Sequence, residues 1–226
     1  MKKTLKKAKK IVLYILIIPT AIFKIFFNIK KDTVDFQIPW ITFEAKEWLE
    51  NYLKKDMTAF EWGSGGSTLF IAPKVKQITS VEHDKVWYTK VKTYLKLKKI
   101  SNCQYKLIKP ERKNDNKKYS SSSFDYKSSA EAYPDFSFEN YCRFIDSFPD
   151  NYFDLIVIDG RARNSCILYA KKKVKKGGYI LLDNSEIKEY DLGVAQLAPD
   201  FERKDFWGRG PFIDTPWKTS VFFRKK

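Results

Sequence analysis

Cysteine is scarce in this chain and histidine almost missing: its 226 residues hold three cysteines, at 103, 142 and 166, and one histidine, His83. An odd count with no Cys-x-x-Cys pair and no histidine partners excludes a disulfide framework and a zinc site, and reads as buried thiols in a reducing compartment. No unbroken apolar run reaches the roughly 20 residues of a spanning helix. No Asn-Pro-Pro-Tyr sequence of the kind that methylates bases is present either. The length suits one domain with appendages and is too short for two enzymatic domains.

Acids are missing from the first 31 residues, which carry nine lysines. The formal charge of +16 falls to +7 over the remainder, where 34 basic residues face 27 acidic ones. Over half the excess is therefore a tail. The other lysines are scattered or lie in runs such as Lys171-Lys172-Lys173, as on a solvated helix face, so nucleic acid is not the expected partner. Behind Lys2 to Lys10, Ile11 to Phe23 is apolar except for Pro19 and Thr20, and Lys24 precedes Ile25-Phe26-Phe27. This pattern predicts a membrane-associating segment over residues 1–31, either spanning or lying in the interface. Its lysines favour the anionic cytoplasmic leaflet, which would leave the folded domain cytoplasmic. No small-x-small cleavage site follows, against a signal peptide. The alternative is a helix packed on the domain or on a second subunit.

From Pro39 to the C-terminus short apolar strands alternate with helical patterns, the signature of an α/β domain around a parallel sheet. Trp40 to Lys54 reads as a helix. Parallel strands are expected at Thr58–Trp62, Gln77–Glu82, Cys103–Ile108, Phe153–Asp159 and Tyr179–Asp183. Helices are expected near Ser67–Ala72, Lys85–Leu97, Phe138–Phe148 and Asn164–Val174. Phe153 to Ile158 is nearly all apolar, as a central strand covered on both faces should be. Phe201–Phe206 and Thr219–Arg224, joined by a Gly/Pro-rich loop, should pair antiparallel. An insertion rich in Asn, Lys, Ser and Tyr occupies Glu111 to Ser137; long insertions often serve as lids or stay disordered.

The chemistry-bearing residues gather at strand ends. Glu61-Trp62-Gly63-Ser64-Gly65-Gly66-Ser67-Thr68 follows a strand and opens a helix, where glycine lets backbone turn sharply and approach a ligand. Thr68 stands where the dinucleotide fingerprint has its third glycine, and Glu61 precedes the first glycine by two residues. A carboxylate there repels a pyrophosphate but not an ammonium or sulfonium, which favours S-adenosylmethionine over NAD. Glu82, about 20 residues beyond the turn, is spaced to accept ribose hydroxyls. Asp84 is most simply a helix N-cap, and His83 is a base or a packing residue of the pocket. Asp159-Gly160 and Asp183-Asn184 end two further strands at the same sheet edge. Asp159, Asp183 and Asn184 there are either oxygen ligands of a divalent cation such as Mg2+, or a contact to the cofactor amine and a turn. Arg161 and Arg163 either clamp a carboxylate, phosphate or acidic sugar or serve solubility. Trp207 anchors the core or walls an acceptor pocket.

Together EWGSGGSTLFIA (61–72), VEHD (81–84), FDLIVIDGRARNSC (153–166) and KKGGYILLDNSE (175–186) resemble the class I S-adenosylmethionine-dependent methyltransferases over roughly Pro39 to Arg224, within a branch that acts on small molecules or sugars. The resemblance implies a three-layer Rossmann-like fold with a mostly parallel seven-stranded sheet and a C-terminal antiparallel hairpin. It implies cofactor contacts from Glu61, Gly63 and Gly65, their neighbours Ser64, Gly66, Ser67 and Thr68, and Glu82, His83, Asp159 and Gly160. Catalytic roles fall to Asp159, Arg161 and His83. Analogy with metal-dependent O-methyltransferases would make Asp159, Asp183 and Asn184 ligands, although Gly-Arg after Asp159 departs from their catechol-type pattern. The expected acceptor is a glycan or other small hydroxylated molecule. Two rival classes are an inactive membrane-tethered binding module and an NAD(P)-dependent oxidoreductase.

Overall fold

A computed structural model of the chain describes residues 31–113 and 119–226. The membrane-associating segment expected over residues 1–31 lies, apart from Lys31, outside the described residues. Among those described, no helix is long and apolar enough to cross a membrane.

The chain enters through a short helix, α1 (Thr33–Phe36), and then α2 (Phe43–Tyr52), with Ala45 and Leu49 buried at i, i+4 spacing. Strand β1 (Thr58–Trp62) leads through the glycine turn into α3 (Gly66–Ile71), and β2 (Gln77–Glu82) into α4 (Lys85–Leu97). Asp84 caps α4 by accepting the Trp87 N–H at 2.7 Å, and Val91 and Leu95 face inward. After β3 (Cys103–Leu107) comes the insertion, then α5 (Glu139–Arg143), β4 (Phe153–Ile158), α6 (Arg163–Lys173), β5 (Val174–Leu182), α7 (Asp191–Ala195) and a hairpin of β6 (Phe201–Gly210) with β7 (Ile213–Arg224).

These seven strands form one sheet in the order β3-β2-β1-β4-β5-β7-β6. β1 to β5 run parallel, and β7 joins β5 antiparallel. The order reverses beside β1, so the tips of β1 and β4 open the crevice where open α/β sheets bind ligands. Apolar residues fill both faces. Phe60, Trp62, Ile156, Ile158 and Ile180 pack on one side, and Ala59, Leu155, Val157 and Leu181 on the other. β4 is buried as its composition requires, each such side chain contributing about 1.5–3 kcal/mol relative to exposure.

Three boundaries depart from the expectations. β5 begins at Val174, five residues early, because a register irregularity between Phe153 and Leu155, with Gly177 at φ +80°, carries the strand through a bulge. The hairpin strands run on through the Gly/Pro-rich segment, leaving only Pro211 and Phe212 in the turn. Pairing satisfies backbone groups that a long loop would leave to solvent. Ahead of Pro39, α1 packs so closely on the glycine turn that a Cβ at Gly66 would collide with the Thr33 and Ile38 carbonyls.

Candidate active site

The tips of β1, β2, β4 and β5 and the hairpin enclose a cleft of ≈ 680 Å³. Of the residues expected to bind cofactor, Gly63, Ser64, Glu82, His83, Asp159 and Gly160 line it. Gly63 has φ +88°, and a Cβ there would lie 2.5 Å from the Gly160 nitrogen, so the turns after β1 and β4 touch only because both residues are glycine.

Glu82 is 2% exposed yet faces the cleft. Its Oε2 accepts from the Ser64 N–H (3.1 Å) and hydroxyl (2.7 Å), and its Oε1 from the N–H groups of His83 (2.8 Å) and Asp84 (2.9 Å). The His83 Nδ1 lies 2.9 Å from the same Oε1. Burial pushes its pKa up, but the His83 and backbone contacts outweigh it and hold the carboxyl below its ordinary value. Glu82 is thus a fixed negative charge in the wall. The His83 ring is packed edge-on against Tyr133, Phe138 and Tyr141.

Glu61, expected as a cofactor contact, does not reach the cleft. It is fully buried beneath the turn, where Oε2 accepts from Thr68 Oγ1 (2.5 Å) and Ser80 Oγ (2.6 Å). Thr68 Oγ1 in turn accepts the Gly65 N–H at 3.0 Å, so the acid braces the turn rather than meeting a ligand. Burial drives the Glu61 pKa up to about 7, against the hydroxyls of Ser67, Ser80 and Thr68. Gly65, Gly66, Ser67 and Thr68 are likewise behind the wall; Gly65 packs on Trp87, whose ring lies 3.6 Å from its Cβ position. The N–H groups of Gly63, Ser64 and Gly65 are all donated within the protein, to Val81 O, Glu82 and Thr68. A pyrophosphate nest needs such donors free, so these three are not available to a phosphate.

Nothing in the structure supports the expected metal site. Arg163, 9% exposed, places its own guanidinium among the three expected ligands. It donates to Asp159 Oδ1 (3.0 Å), to Asn184 Oδ1 (3.2 Å) and to the Asp183 carbonyl. Asp183 Oδ1 also accepts from Thr219 Oγ1 (2.5 Å) and Trp217 Nε1 (3.0 Å). Among the described residues no group of His, Cys, Asp or Glu is placed to hold a metal ion. An arginine fork supplies the positive charge these oxygens require. Burial pushes Asp183 up to about 6, opposed by Arg163. Asp159 is driven well above the carboxylate range by burial, with Arg163 opposing and Asp183 adding.

Arg161 is exposed at the shared rim of this cleft and a smaller cavity. Trp207, expected as a core anchor, is 58% exposed; Trp217 is the buried indole of the hairpin and walls the cleft. Sequence reasoning also missed Trp40, Trp87 and Tyr133 in the wall. The signal for Trp87 was its place at the third position of a helix capped by Asp84.

No family model matches the sequence, and no curated protein matches it. Solved structures do. An rRNA methylase from Streptococcus thermophilus superposes with a TM-score of 0.56 at 10% identity, covering 88% of this chain and 99% of that one. Precorrin 8w decarboxylase from Methanobacterium thermoautotrophicum gives 0.52 at 16%, covering 84% and 94%. A Streptococcus mutans protein provisionally named a methyltransferase, solved in complex with SAH, gives 0.52 at 13%, covering 78% and 93%. The fold is that of the class I methyltransferases. Against this fold the residues present suit S-adenosylmethionine: a glycine turn whose Gly63, Ser64 and Gly65 N–H groups are taken within the protein, an ionised acid at the β2 tip, and indoles of Trp40 and Trp87 in the wall.

Proposed function

We propose that the chain is an S-adenosylmethionine-dependent methyltransferase acting on a hydroxyl of a sugar, glycan or other small acceptor. The observation that carries this reading is Glu82, a buried, ionised carboxylate at the β2 tip beside a glycine turn whose Gly63, Ser64 and Gly65 N–H groups are already used. Of the five acidic residues that line the cleft, Glu82 keeps its charge without a guanidinium against it, which favours a cationic ligand.

When bound, the cofactor supplies an electrophilic methyl group. Glu82 would hold the ribose hydroxyls, and Ser64, whose Oγ also lies 2.6 Å from Tyr105 Oη, can yield a lone pair to them by turning towards Tyr105. His83 is a positioning residue that keeps Glu82 in place. Asp159, whose carboxyl burial makes more basic than an ordinary carboxylate, would in its ionised form accept the acceptor's proton as the oxygen attacks. Arg163 fixes Asp159 and the β5 loop relative to one another, so that the acceptor is held in line. On sequence alone, the lysine-rich residues 1–31 favour work at an anionic membrane surface.

Thermal unfolding of the full chain with S-adenosylhomocysteine and with NADH separates this reading from an oxidoreductase. The homocysteine nucleoside raises Tm and NADH does not. Stabilisation by NADH alone would overturn the reading. Transfer of label from methyl-labelled S-adenosylmethionine to a hydroxylated acceptor in a cell-envelope extract then separates an enzyme from an inactive binder.

A further inference from the structure

The hairpin side of the main cleft is built from the loop after β5 and from β7: Asn184, Glu186, Thr215, Pro216 and Trp217 line it. In the sheet, β5 and β7 stand three and four strands from β2. At the usual strand spacing this wall lies roughly 14–19 Å from the strand that ends in Glu82, so it faces a different part of the bound molecules than the ribose.

The loop is stitched to β7 as though the sheet continued. The Ser185 N–H donates to the Lys218 carbonyl (2.9 Å), and the Lys218 N–H donates to Glu186 Oε2 (2.9 Å). The Ser185 and Ser220 hydroxyls meet at 2.6 Å, and Asn184, at φ +51°, turns the chain across the strand ends. A side-chain carboxylate thus takes the place of a backbone carbonyl in the ladder, and the Glu186 head is anchored through one oxygen.

The charge of that carboxylate is unanswered within the molecule. Among the described residues no cation lies within 4 Å of it: the Lys218 ammonium goes to Asp205 (3.9 Å), Arg163 goes to Asp159 (3.0 Å), and Arg161 stands exposed at the rim. Glu186 is half-buried, and a partly desolvated carboxylate gains most from a charged donor. The indole of Trp217 lines the same wall, fixed by its Nε1 donation to Asp183 Oδ1 (3.0 Å), and indole rings attract cations. Carboxylate and indole independently favour the same ligand chemistry.

We infer that Glu186 holds an ammonium group of the methyl acceptor beside Trp217, which makes the acceptor a hydroxylated amine such as an amino sugar. The inference rests on the methyltransferase reading and deepens it by naming the acceptor's class. A carboxylate in contact with an amine keeps it protonated. A protonated amine has no lone pair with which to attack a methyl group, so Glu186 withholds the nitrogen and leaves a hydroxyl to react beside Asp159.

The test uses the full chain, with and without S-adenosylhomocysteine, and ligand-observed NMR with D-glucosamine and D-glucose, which differ by an ammonium in place of a hydroxyl. Glucosamine is expected to bind the wild type about tenfold more tightly than glucose, the worth of one charge-assisted contact, and to lose that advantage in Glu186→Gln. The variant keeps an oxygen for the Lys218 N–H, so the loop stays in place and only the charge is removed. Its affinity for S-adenosylhomocysteine, measured by calorimetry, is expected to match that of the wild type. The inference is overturned by wild-type protein that binds the two sugars equally or binds neither, or by an advantage that survives in Glu186→Gln. A marked loss of S-adenosylhomocysteine affinity in Glu186→Gln also overturns it, since the acid would then serve the cofactor's own ammonium. Failure of the wild type to bind the nucleoside, with the glucosamine advantage intact, counts against the cofactor reading alone and leaves the amine site standing.

Discussion

The two halves of the crevice solve the same problem differently. At the β1 and β2 tips, Glu61 and Glu82 are held by hydroxyls and backbone N–H groups. At the β4 and β5 tips, Asp159, Asp183 and Asn184 gather around a resident cation, Arg163. Neutral donors fix the Glu82 carboxylate without cancelling its charge, so the first half keeps a negative wall for a cationic ligand. A guanidinium cancels charge as it organises, so the second half is rigid and nearly neutral.

The most severe way to break this comparison is to remove the cation. Arg163→Ala takes its donor from the Asp159 carboxylate, the carbonyls of Asp159, Gly160 and Asp183, and Asn184 Oδ1, and is expected to lower unfolding free energy in urea by about 3–5 kcal/mol. Arg163→Lys should recover less than half, since an ammonium cannot fork. A small loss in Arg163→Ala would mean that the second half is not built on the ion pair.

Next in size is a pH effect at Glu61. Its pKa rises from the ordinary 4.5 to about 7 on folding, so the folded chain binds the proton more tightly than the unfolded one. The stability from that proton is full below pH 4.5 and is lost as pH climbs through 7. Glu61→Gln, which cannot ionise, should therefore gain on the wild type by roughly 3 kcal/mol between those limits. Asp183, pushed up to about 6, contributes a slope of the same sign that the substitution leaves in place. Parallel stability profiles for the two proteins would refute the burial argument.

Smaller still, Ser64→Ala removes one neutral donor from Glu82 and should cost about 1.5–2 kcal/mol, less than the Arg163→Ala effect. Trp207→Ala, on the outer face of the hairpin, should change stability by under about 0.5 kcal/mol. A larger loss there would show that this indole is covered in solution.

How far the sequence revealed each half follows from the range of the contacts. Gly63 to Gly66, Glu82 and the Asp84 cap belong to strand-turn-helix units less than 30 residues long, and local spacing carries them. The brace beneath the turn was not visible, because whether Glu61 faces a ligand or the core depends on Thr68 and Ser80 in the folded state. Trp217 and Thr219 reach Asp183 across 34 and 36 residues of chain. Their side of the hairpin is set by register: Gly208 opposes Trp217, and Trp207 opposes Lys218, so a shift of one residue exchanges inner and outer indoles. Asp159, Asp183 and Asn184 were correctly brought together, but the sequence gives no indication that Arg163 folds back between them.

The measurement that bears most directly on the whole account is calorimetric titration of S-adenosylhomocysteine into the wild type and Glu82→Ala, both verified as folded. The account predicts saturable binding by the wild type and a loss of about 100-fold in the variant, from two hydrogen bonds to a buried charge. Equal affinity in the two proteins, or no binding by the wild type, would contradict it.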